Sequence, residues 1–209
     1  KLNGGGWEIE DWSSDGRMLL IMEYISINES RIHIVDTQSG EISALTPKLK
    51  VPVSYQNARF DPNLRAVYFT SDDGFDFQRL TRLDLSSGEY RYYLAQSKCD
   101  VESFELSPDG ESLAVVINER AVSKLRFLNV NSGAEILESR SPSGVISALK
   151  WGSKNQIMYG FSSALSPGQV VCHDLGADEK FYWMKTDLSG IKPAHLSIPM
   201  REEMRSADG

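Results

Sequence analysis

Short apolar runs alternate with turn-forming residues along the whole chain. Val101–Leu106 is followed by the tetrad Ser-Pro-Asp-Gly at 107–110, and a second apolar run occupies 112–117. Such a tetrad predicts a tight turn, because Pro fixes its φ, Asp bonds to the backbone and Gly accepts a positive φ. A third run at 125–128 and Asn-Ser-Gly at 131–133 predict another hairpin. No segment of ten or more residues has helical periodicity, so the pattern predicts an almost all-β chain.

The same arrangement occurs four times. The residue before the first turn is aromatic or leucine, the residue that ends the third strand is Asp or Asn, and both recur every 45–48 residues. The first set is Trp12, Phe60, Leu106 and Trp151, and the second set is Asp36, Asp84, Asn129 and Asp174. Repeats of about 40–50 residues with four strands each are typical of β-propeller blades. We therefore predict blades of four antiparallel strands at about 1–50, 51–97, 98–141 and 142–187, followed by a tail or linker at 188–209.

The antiparallel order within a blade sorts the connections onto two faces. The turns after the first and third strands fall on one face, and the connections after the second strand fall on the other face with the links between blades. The sequence predicts four longer loops on this second face, which we call the loop face, at 23–30, 71–79, 118–123 and 162–168. Function tends to sit on loops held by a rigid scaffold. The candidate contact residues are Glu23, Tyr24, Asn28, Glu29, Asp72, Phe75, Asp76, Phe77, Arg79, Asn118, Glu119 and Arg120.

Two interpretations of the loop face stay open on the sequence alone. The loops are a contact surface, or they are merely solvated connections between strands. Phe75 and Phe77 are aromatic residues in a polar loop, which is typical of contact surfaces, although packing against a neighbouring blade explains them equally well.

Charge and candidate chemistry narrow the function classes. The net charge of −7 argues against a nucleic-acid backbone or an anionic membrane as the main partner. No Gly-x-Ser-x-Gly motif is present, and no Cys/His spacing fits zinc, so we expect no catalytic, cofactor or metal site in this chain. His33 and His173 fall in predicted third strands and are expected to be structural, and Cys99 and Cys172 are expected to be free thiols. With no signal peptide or apolar run of ~18 residues, we expect a cytoplasmic location.

Several strings of this sequence resemble the propeller domain of bacterial prolyl oligopeptidase family serine peptidases, of the dipeptidyl- and acylaminoacyl-peptidase type. The most specific is Glu-Tyr-Ile-Ser-Ile-Asn-Glu-Ser at 23–30. Leu-Thr-Pro-Lys at 45–48 and Phe-Gln-Arg-Leu at 77–80 fit as well, whereas the Ser-Pro-Asp-Gly turn at 107–110 occurs in many propellers. The resemblance covers essentially the whole chain.

The resemblance implies that this chain does not carry the catalytic residues. In this family a propeller, typically of more than four blades, caps a C-terminal α/β-hydrolase domain that carries the catalytic Ser, Asp and His. The propeller admits short peptides and excludes folded proteins. The chain is then expected to be a non-catalytic part of a larger propeller, with residues 199–209 resembling the linker to that hydrolase domain.

A stand-alone propeller that binds a protein or a small ligand is the alternative function. Four blades can close into a ring of their own, at the low end of the propeller range. If they instead belong to a larger ring, they form an open arc, and its terminal blades expose apolar surface that a second copy could cover. We therefore expect a homodimer or higher oligomer.

Overall fold

Four antiparallel sheets make up the fold. The computed structural model describes residues 5–139, 142–153, 155–202 and 204–205. The first sheet contains β1 (Trp7–Trp12), β2 (Met18–Ser26), β3 (Glu29–Asp36) and β4 (Ile42–Ala44). The second contains β5 (Tyr55–Phe60), β6 (Ala66–Ser71), β7 (Arg79–Asp84) and β8 (Tyr90–Tyr93). The third contains β9 (Val101–Leu106), β10 (Ser112–Glu119), β11 (Val122–Asn129) and β12 (Glu135–Glu138). The fourth contains β13 (Val145–Ser153), β14 (Gln156–Ser163), β15 (Ser166–Asp174) and β16 (Glu179–Lys185).

Each sheet is one propeller blade. Within every sheet the strands lie in sequence order and neighbours pair antiparallel, so the predicted all-β fold of four-stranded blades is confirmed. After β16 the described residues hold one further regular element, the short 3-10 helix Pro193–His195. Residues 206–209 of the predicted linker, and 140–141 at a predicted blade boundary, lie outside the described residues. No helix in the described part of the chain is long and apolar enough to cross a membrane.

The blades pack face to face in the order of the chain. The first strands contact one another in succession, β1 with β5, β5 with β9 and β9 with β13. One apolar core lies between each successive pair of blades. Leu20 and Tyr55 belong to the first core, Tyr68 and Phe104 to the second, and Phe127 with its blade 4 neighbours to the third. Full burial of one such side chain stabilises the fold by about 1.5–3 kcal/mol, so these three cores hold the blades together.

The first and last blades each keep one apolar face without a neighbouring blade. No core cluster of the described residues joins blade 4 to blade 1. Trp12 is 56% exposed and Ile9 is 72% exposed, although the repeat-equivalent residues Phe60 and Trp151 pack against the preceding blade. The four blades therefore form an open arc.

Asp and Asn at the ends of the third strands shape the hairpins that follow. Asp36 Oδ1 accepts the N–H groups of Gln38 (2.9 Å) and Ser39 (2.7 Å), and these bonds lower the pKa of Asp36. Equivalent bonds are accepted by Asp84, Asn129 and Asp174. These four residues, which we call the landmarks, therefore shape the hairpin that follows the third strand in every blade.

Three of the four predicted long connections on the loop face are short turns, so that prediction was wrong. β2 continues to Ser26 and β3 begins at Glu29, which leaves a two-residue turn in place of a loop over 23–30. The turns of blades 3 and 4 are equally short. Arg120 and Ala121 both have positive φ, 57° and 64°, the conformation that matches a two-residue hairpin to the twist of its strands. The residues at these strand ends are polar, which is why the sequence predicted loops there, but they pair across the hairpin as strand residues. Only the connection at 72–78 is long.

Candidate functional site

The candidate contact residues form three groups, one on each of the first three blades. The positions in blade 1 differ from the sequence expectation. Glu23 and Tyr24 lie in β2 and Glu29 lies in β3, so Asn28 is the one candidate of this blade that occupies a turn. Asn118 and Glu119 end β10, and Arg79 begins β7 (these are strand residues at the loop face). The turn residue Arg120 and the loop residues Asp72, Phe75, Asp76 and Phe77 lie where they were predicted.

The first group divides between two surfaces of blade 1. The Glu23 carboxylate lies 3.2 Å from His33 Nε2 and 3.7 Å from Arg31 Nη1, and Glu29 lies 2.8 Å from Arg31 Nη2. This cluster is on the side of blade 1 that faces away from blade 2, because His33 pairs with Ile21 while Leu20 faces the core. Tyr24 instead lines a small cleft of about 260 Å³ between blades 1 and 2. The first group is therefore not a single site.

The long loop of blade 2 is held down at both ends. Asp72 Oδ1 accepts the N–H of Ser54 at 2.8 Å, which ties the loop to the link from blade 1. The Phe75 ring packs edge-on against Tyr92, with centroids 5.1 Å apart. Asp76 is exposed at the tip of the loop. Of the two explanations for the aromatic loop residues, packing therefore applies to Phe75, although the partner lies in its own blade.

Arg79 is the support beneath this loop. It is 4% exposed, and its guanidinium lies 5.4 Å from the Phe75 ring centroid and 5.5 Å from that of Phe77. Its Nη1 donates to the carbonyl of Cys99 at 3.0 Å, and its Nη2 donates to the carbonyl of Ser97. The charge is thus solvated by main-chain carbonyls, and Arg79 joins loop 72–78 to the connector 94–100 between β8 and β9.

The third group is organised by Glu102 on the first strand of blade 3. Asn118 Nδ2 donates to Glu102 Oε1 at 2.8 Å, and Ser123 Oγ donates to Glu102 Oε2 at 3.0 Å. Asn118 Oδ1 accepts the N–H of Ala121 at 2.9 Å. These bonds fix the β10–β11 hairpin, so Glu119 and Arg120 project from a rigid base.

The second and third groups meet at one cleft between blades 2 and 3, which we call the 2–3 cleft. It has a volume of about 810 Å³, and Phe77, Asn118, Glu119 and Arg120 all line it. The opposite wall is the connector 94–100, and the floor includes Ile117 and Arg126. The connector was not among the candidate residues. The sequence could have predicted its position, because every link between blades lies on the loop face.

The 2–3 cleft brings charged and apolar side chains together. Lys98 and Arg120 lie beside Asp100 and Glu119 at its rim, and the floor combines the apolar Ile117 with the basic Arg126. None of the described histidines lines it, and the described residues contain no group of three potential metal ligands. Such an arrangement can contact the backbone and side chains of a peptide.

Comparison with known proteins places this architecture in a family. The model of the prolyl oligopeptidase N-terminal β-propeller domain matches residues 9–186. The chain belongs to this family. No curated protein matches it significantly.

Solved structures share the fold of this prolyl oligopeptidase family propeller at low sequence identity. A prolyl endopeptidase has a TM-score of 0.74 at 18% identity, covering 90% of this chain and 27% of that chain. Puromycin hydrolase has a TM-score of 0.76 at 16% identity, covering 95% of this chain and 31% of that chain. TolB from Acinetobacter baumannii has a TM-score of 0.61 at 20% identity, covering 81% of this chain and 41% of that chain. The chain thus spans under a third of the prolyl endopeptidase and of puromycin hydrolase.

Proposed function

We propose that this chain is the non-catalytic propeller part of a prolyl oligopeptidase family serine peptidase. In this role it limits access to an α/β-hydrolase domain outside the chain, so that short peptides reach the nucleophile. The observation that carries the proposal is the family match, which runs across all four blades at residues 9–186. The fold alone would not carry it, because TolB shares the architecture and is not described as a peptidase.

The open arc supports a place within a larger ring. Blade 1 presents Ile9 and Trp12, and blade 4 presents Phe181 and Met184, on faces that no described blade covers. Cross-strand pairing puts Phe181 beside Cys172 and Met184 beside Val170, on the opposite side of the sheet from the core residue Val171. Apolar faces of this kind are stable when covered, and further blades of a larger propeller would cover both.

The 2–3 cleft supplies a physical means of selection by size. Phe77 of loop 72–78, the connector 94–100 and the β10–β11 hairpin line it, and the buried guanidinium of Arg79 joins the loop to the connector. An extended short peptide can pass or contact such rigid walls, whereas a folded protein is too wide. The proposal therefore makes Arg79 a positioning residue for the gate.

The test uses the protein encoded by the complete reading frame. We expect it to cleave a short peptide and to leave the same sequence uncut inside a folded domain. Arg79→Ala should raise cleavage of the folded substrate relative to the short peptide, because the cleft walls lose their common support. Arg65→Ala, which changes an exposed arginine of the same blade, is the matched control and should keep the wild-type selectivity.

Two results would overturn the proposal. Equal cleavage of both substrates by the wild type would remove the gating role. A reading frame without a hydrolase domain, giving a protein that cleaves no peptide, would leave the alternative of a stand-alone binding module.

A further inference from the structure

A third cleft lies between blades 3 and 4, on the face opposite the loop face. We call it the 3–4 cleft. Its volume is about 370 Å³, and its apolar walls are formed by Phe127, Leu137, Trp151, Leu175 and Ile136, which is 58% exposed. The Phe127 and Trp151 rings meet edge-on, with centroids 6.1 Å apart. An aromatic cleft open to solvent is a candidate binding site.

The seam between blades 2 and 3 shows what fills the corresponding place one blade earlier. There, Tyr93 Oη donates to the carbonyl of Val130 at 2.7 Å. Arg91 Nη1 donates to the carbonyls of Val130 (3.2 Å) and Asn131 (2.5 Å). The Arg91 guanidinium also lies 5.1 Å from the Tyr93 ring centroid. One guanidinium and one phenol from the outer strand of blade 2 therefore close this seam.

Strand register identifies the residues that replace them in blade 3. In blade 2, Arg91 pairs with Arg82, two residues before the landmark Asp84. In blade 3, Leu137 pairs with Phe127, two residues before the landmark Asn129. Leu137 thus stands in the place of Arg91, and Ser139, two residues further along, stands in the place of Tyr93.

With these replacements, the outer strand of blade 3 does not donate hydrogen bonds to the backbone carbonyls of Leu175 and Gly176 as Arg91 and Tyr93 do one seam earlier. Leu175 and Gly176 follow Asp174 as Val130 and Asn131 follow Asn129, and both line the cleft. The Leu137 side chain has no donor. Ser139 Oγ is buried and makes no hydrogen bond within the described residues. The cleft is therefore the seam of the neighbouring blades with its guanidinium and phenol removed.

A carboxylate adds charge to the same cleft. The fourth residue after each landmark has a positive φ, and it is Gly40, Gly88 and Gly133 in the first three blades and Asp178 in the fourth. A non-glycine residue in this conformation costs about 1–2 kcal/mol. The Asp178 side chain is 68% exposed, lines the cleft and has Oδ1 2.9 Å from His173 Nε2. Blade 4 therefore places a carboxylate where the other blades have no side chain.

We propose that the 3–4 cleft binds an arginine side chain of a partner polypeptide. A guanidinium stacks on aromatic rings, carries five donors in a plane and pairs with carboxylates. In the cleft it would lie against Trp151, donate to the carbonyls of Leu175 and Gly176, and face Asp178. The two carbonyl contacts correspond to those that Arg91 makes within the chain one seam earlier, whereas the aromatic contact comes from a different position and the carboxylate is additional. The proposal is independent of the proposed peptidase role.

The first experiment titrates the chain with Nα-acetyl-arginine N-methylamide. The indole N–H signal of Trp151, assigned by its loss in Trp151→Phe, reports binding by NMR. Blocked citrulline has nearly the same shape without the charge, and blocked lysine has the charge without the plane. We expect both to bind at least about threefold more weakly than blocked arginine, because each lacks one part of the recognition.

Two variants test the residues. Asp178→Asn should weaken binding of blocked arginine about three- to tenfold, and Glu41→Gln, an exposed carboxylate in a blade 1 turn, should leave it unchanged. Leu137→Arg with Ser139→Tyr rebuilds the filled seam, so it should abolish binding and raise the melting temperature. If that pair does not fold, Leu137→Arg alone should still abolish binding.

Three outcomes would overturn the proposal. They are equal binding of blocked arginine and citrulline, no change of the Trp151 signal at any concentration, and unchanged binding in a folded Leu137→Arg variant. Tighter binding of free arginine than of the blocked form would assign the cleft to a small molecule and also reject a partner polypeptide.

Discussion

Arg79 and His173 are both buried basic side chains, and their surroundings differ. The Arg79 guanidinium donates to the carbonyls of Ser97 and Cys99 and lies against two aromatic rings. His173 is 0% exposed between blades 3 and 4, and its ring packs edge-on against Phe127 at 5.9 Å. Burial lowers the pKa of His173, and the hydrogen bond to Asp178 offsets only part of that effect. The neutral ring is therefore the form that the fold prefers.

This preference predicts that stability falls as the pH drops below the ordinary histidine pKa of about 6.5. Between that pKa and the lower folded-state pKa, the unfolded chain binds more protons, so stability rises with pH. The contribution is complete above pH ~6.5 and is lost as the pH falls towards the folded-state pKa. From pH ~7.5 to ~5.5 the melting temperature of the wild type should fall by more than that of His173→Gln, because only the wild type carries this buried imidazole.

The control for this titration is His195→Gln, which removes an exposed histidine and should keep the wild-type dependence. Calorimetry or circular dichroism at several pH values gives the melting temperatures. A wild type and a His173→Gln variant with the same slope would show that His173 does not set it.

At the scale of elements, the hairpins between third and fourth strands depend on one backbone conformation. Gly40 has φ +73°, and a Cβ built there would meet nothing within 4 Å. The cost of any side chain is therefore conformational. Gly40→Ala should lower the free energy of unfolding by about 1–2 kcal/mol, and Gly40→Asn should lower it less, because asparagine tolerates the left-handed region. Urea denaturation measures both.

Gly152→Ala is the matched control for this turn. Gly152 does not have a positive φ, and the nearest atom to its added Cβ is the Gln156 carbonyl oxygen at 3.8 Å. Its unfolding free energy should change little. Equal losses at Gly40 and Gly152 would mean that conformation is not the reason for glycine at the turn.

The elements that the sequence predicted well are those whose chemistry is local. Ser-Pro-Asp-Gly and Asp-x-x-Ser-Gly strings form their turns through bonds between near neighbours, such as Asp36 with Ser39, so these turns and the repeat could be predicted from the sequence. Loop lengths were harder to predict, because Tyr24 and Asn118 are polar but belong to paired strands. Polarity alone does not reveal cross-strand pairing at a hairpin end.

The clefts depended on contacts that no string contains. Arg79 appeared as a loop-face contact, but its burial follows from carbonyls of the connector 94–100, about twenty residues away in sequence. The 3–4 cleft exists because Leu137 and Ser139 stand where Arg91 and Tyr93 stand in the previous blade. Only an alignment of the blades by strand register shows that difference.

At the scale of the whole molecule, the arc has two uncovered apolar faces that are built as blade interfaces. Trp12 occupies a repeat position that faces the preceding blade, and Ile9 lies on the same side of the sheet, because the two pair with Leu19 and Ile21. Phe181 and Met184 lie at the opposite end of the arc. Head-to-tail contact of two arcs joins each blade 1 to a blade 4, which closes a ring of eight blades, within the range known for propellers.

We therefore predict that the isolated chain self-associates through these faces. Light scattering should show a mass that rises with concentration towards the dimer. Ile9→Lys with Trp12→Lys should give a monomer, because two charges in an apolar interface cannot be desolvated without a partner. Ile27→Lys changes an isoleucine that is 81% exposed in the β2–β3 turn, away from the terminal face, and should behave as the wild type. A wild type that stays monomeric at high micromolar concentration would reject self-association, and the faces would then need blades of the same polypeptide to cover them.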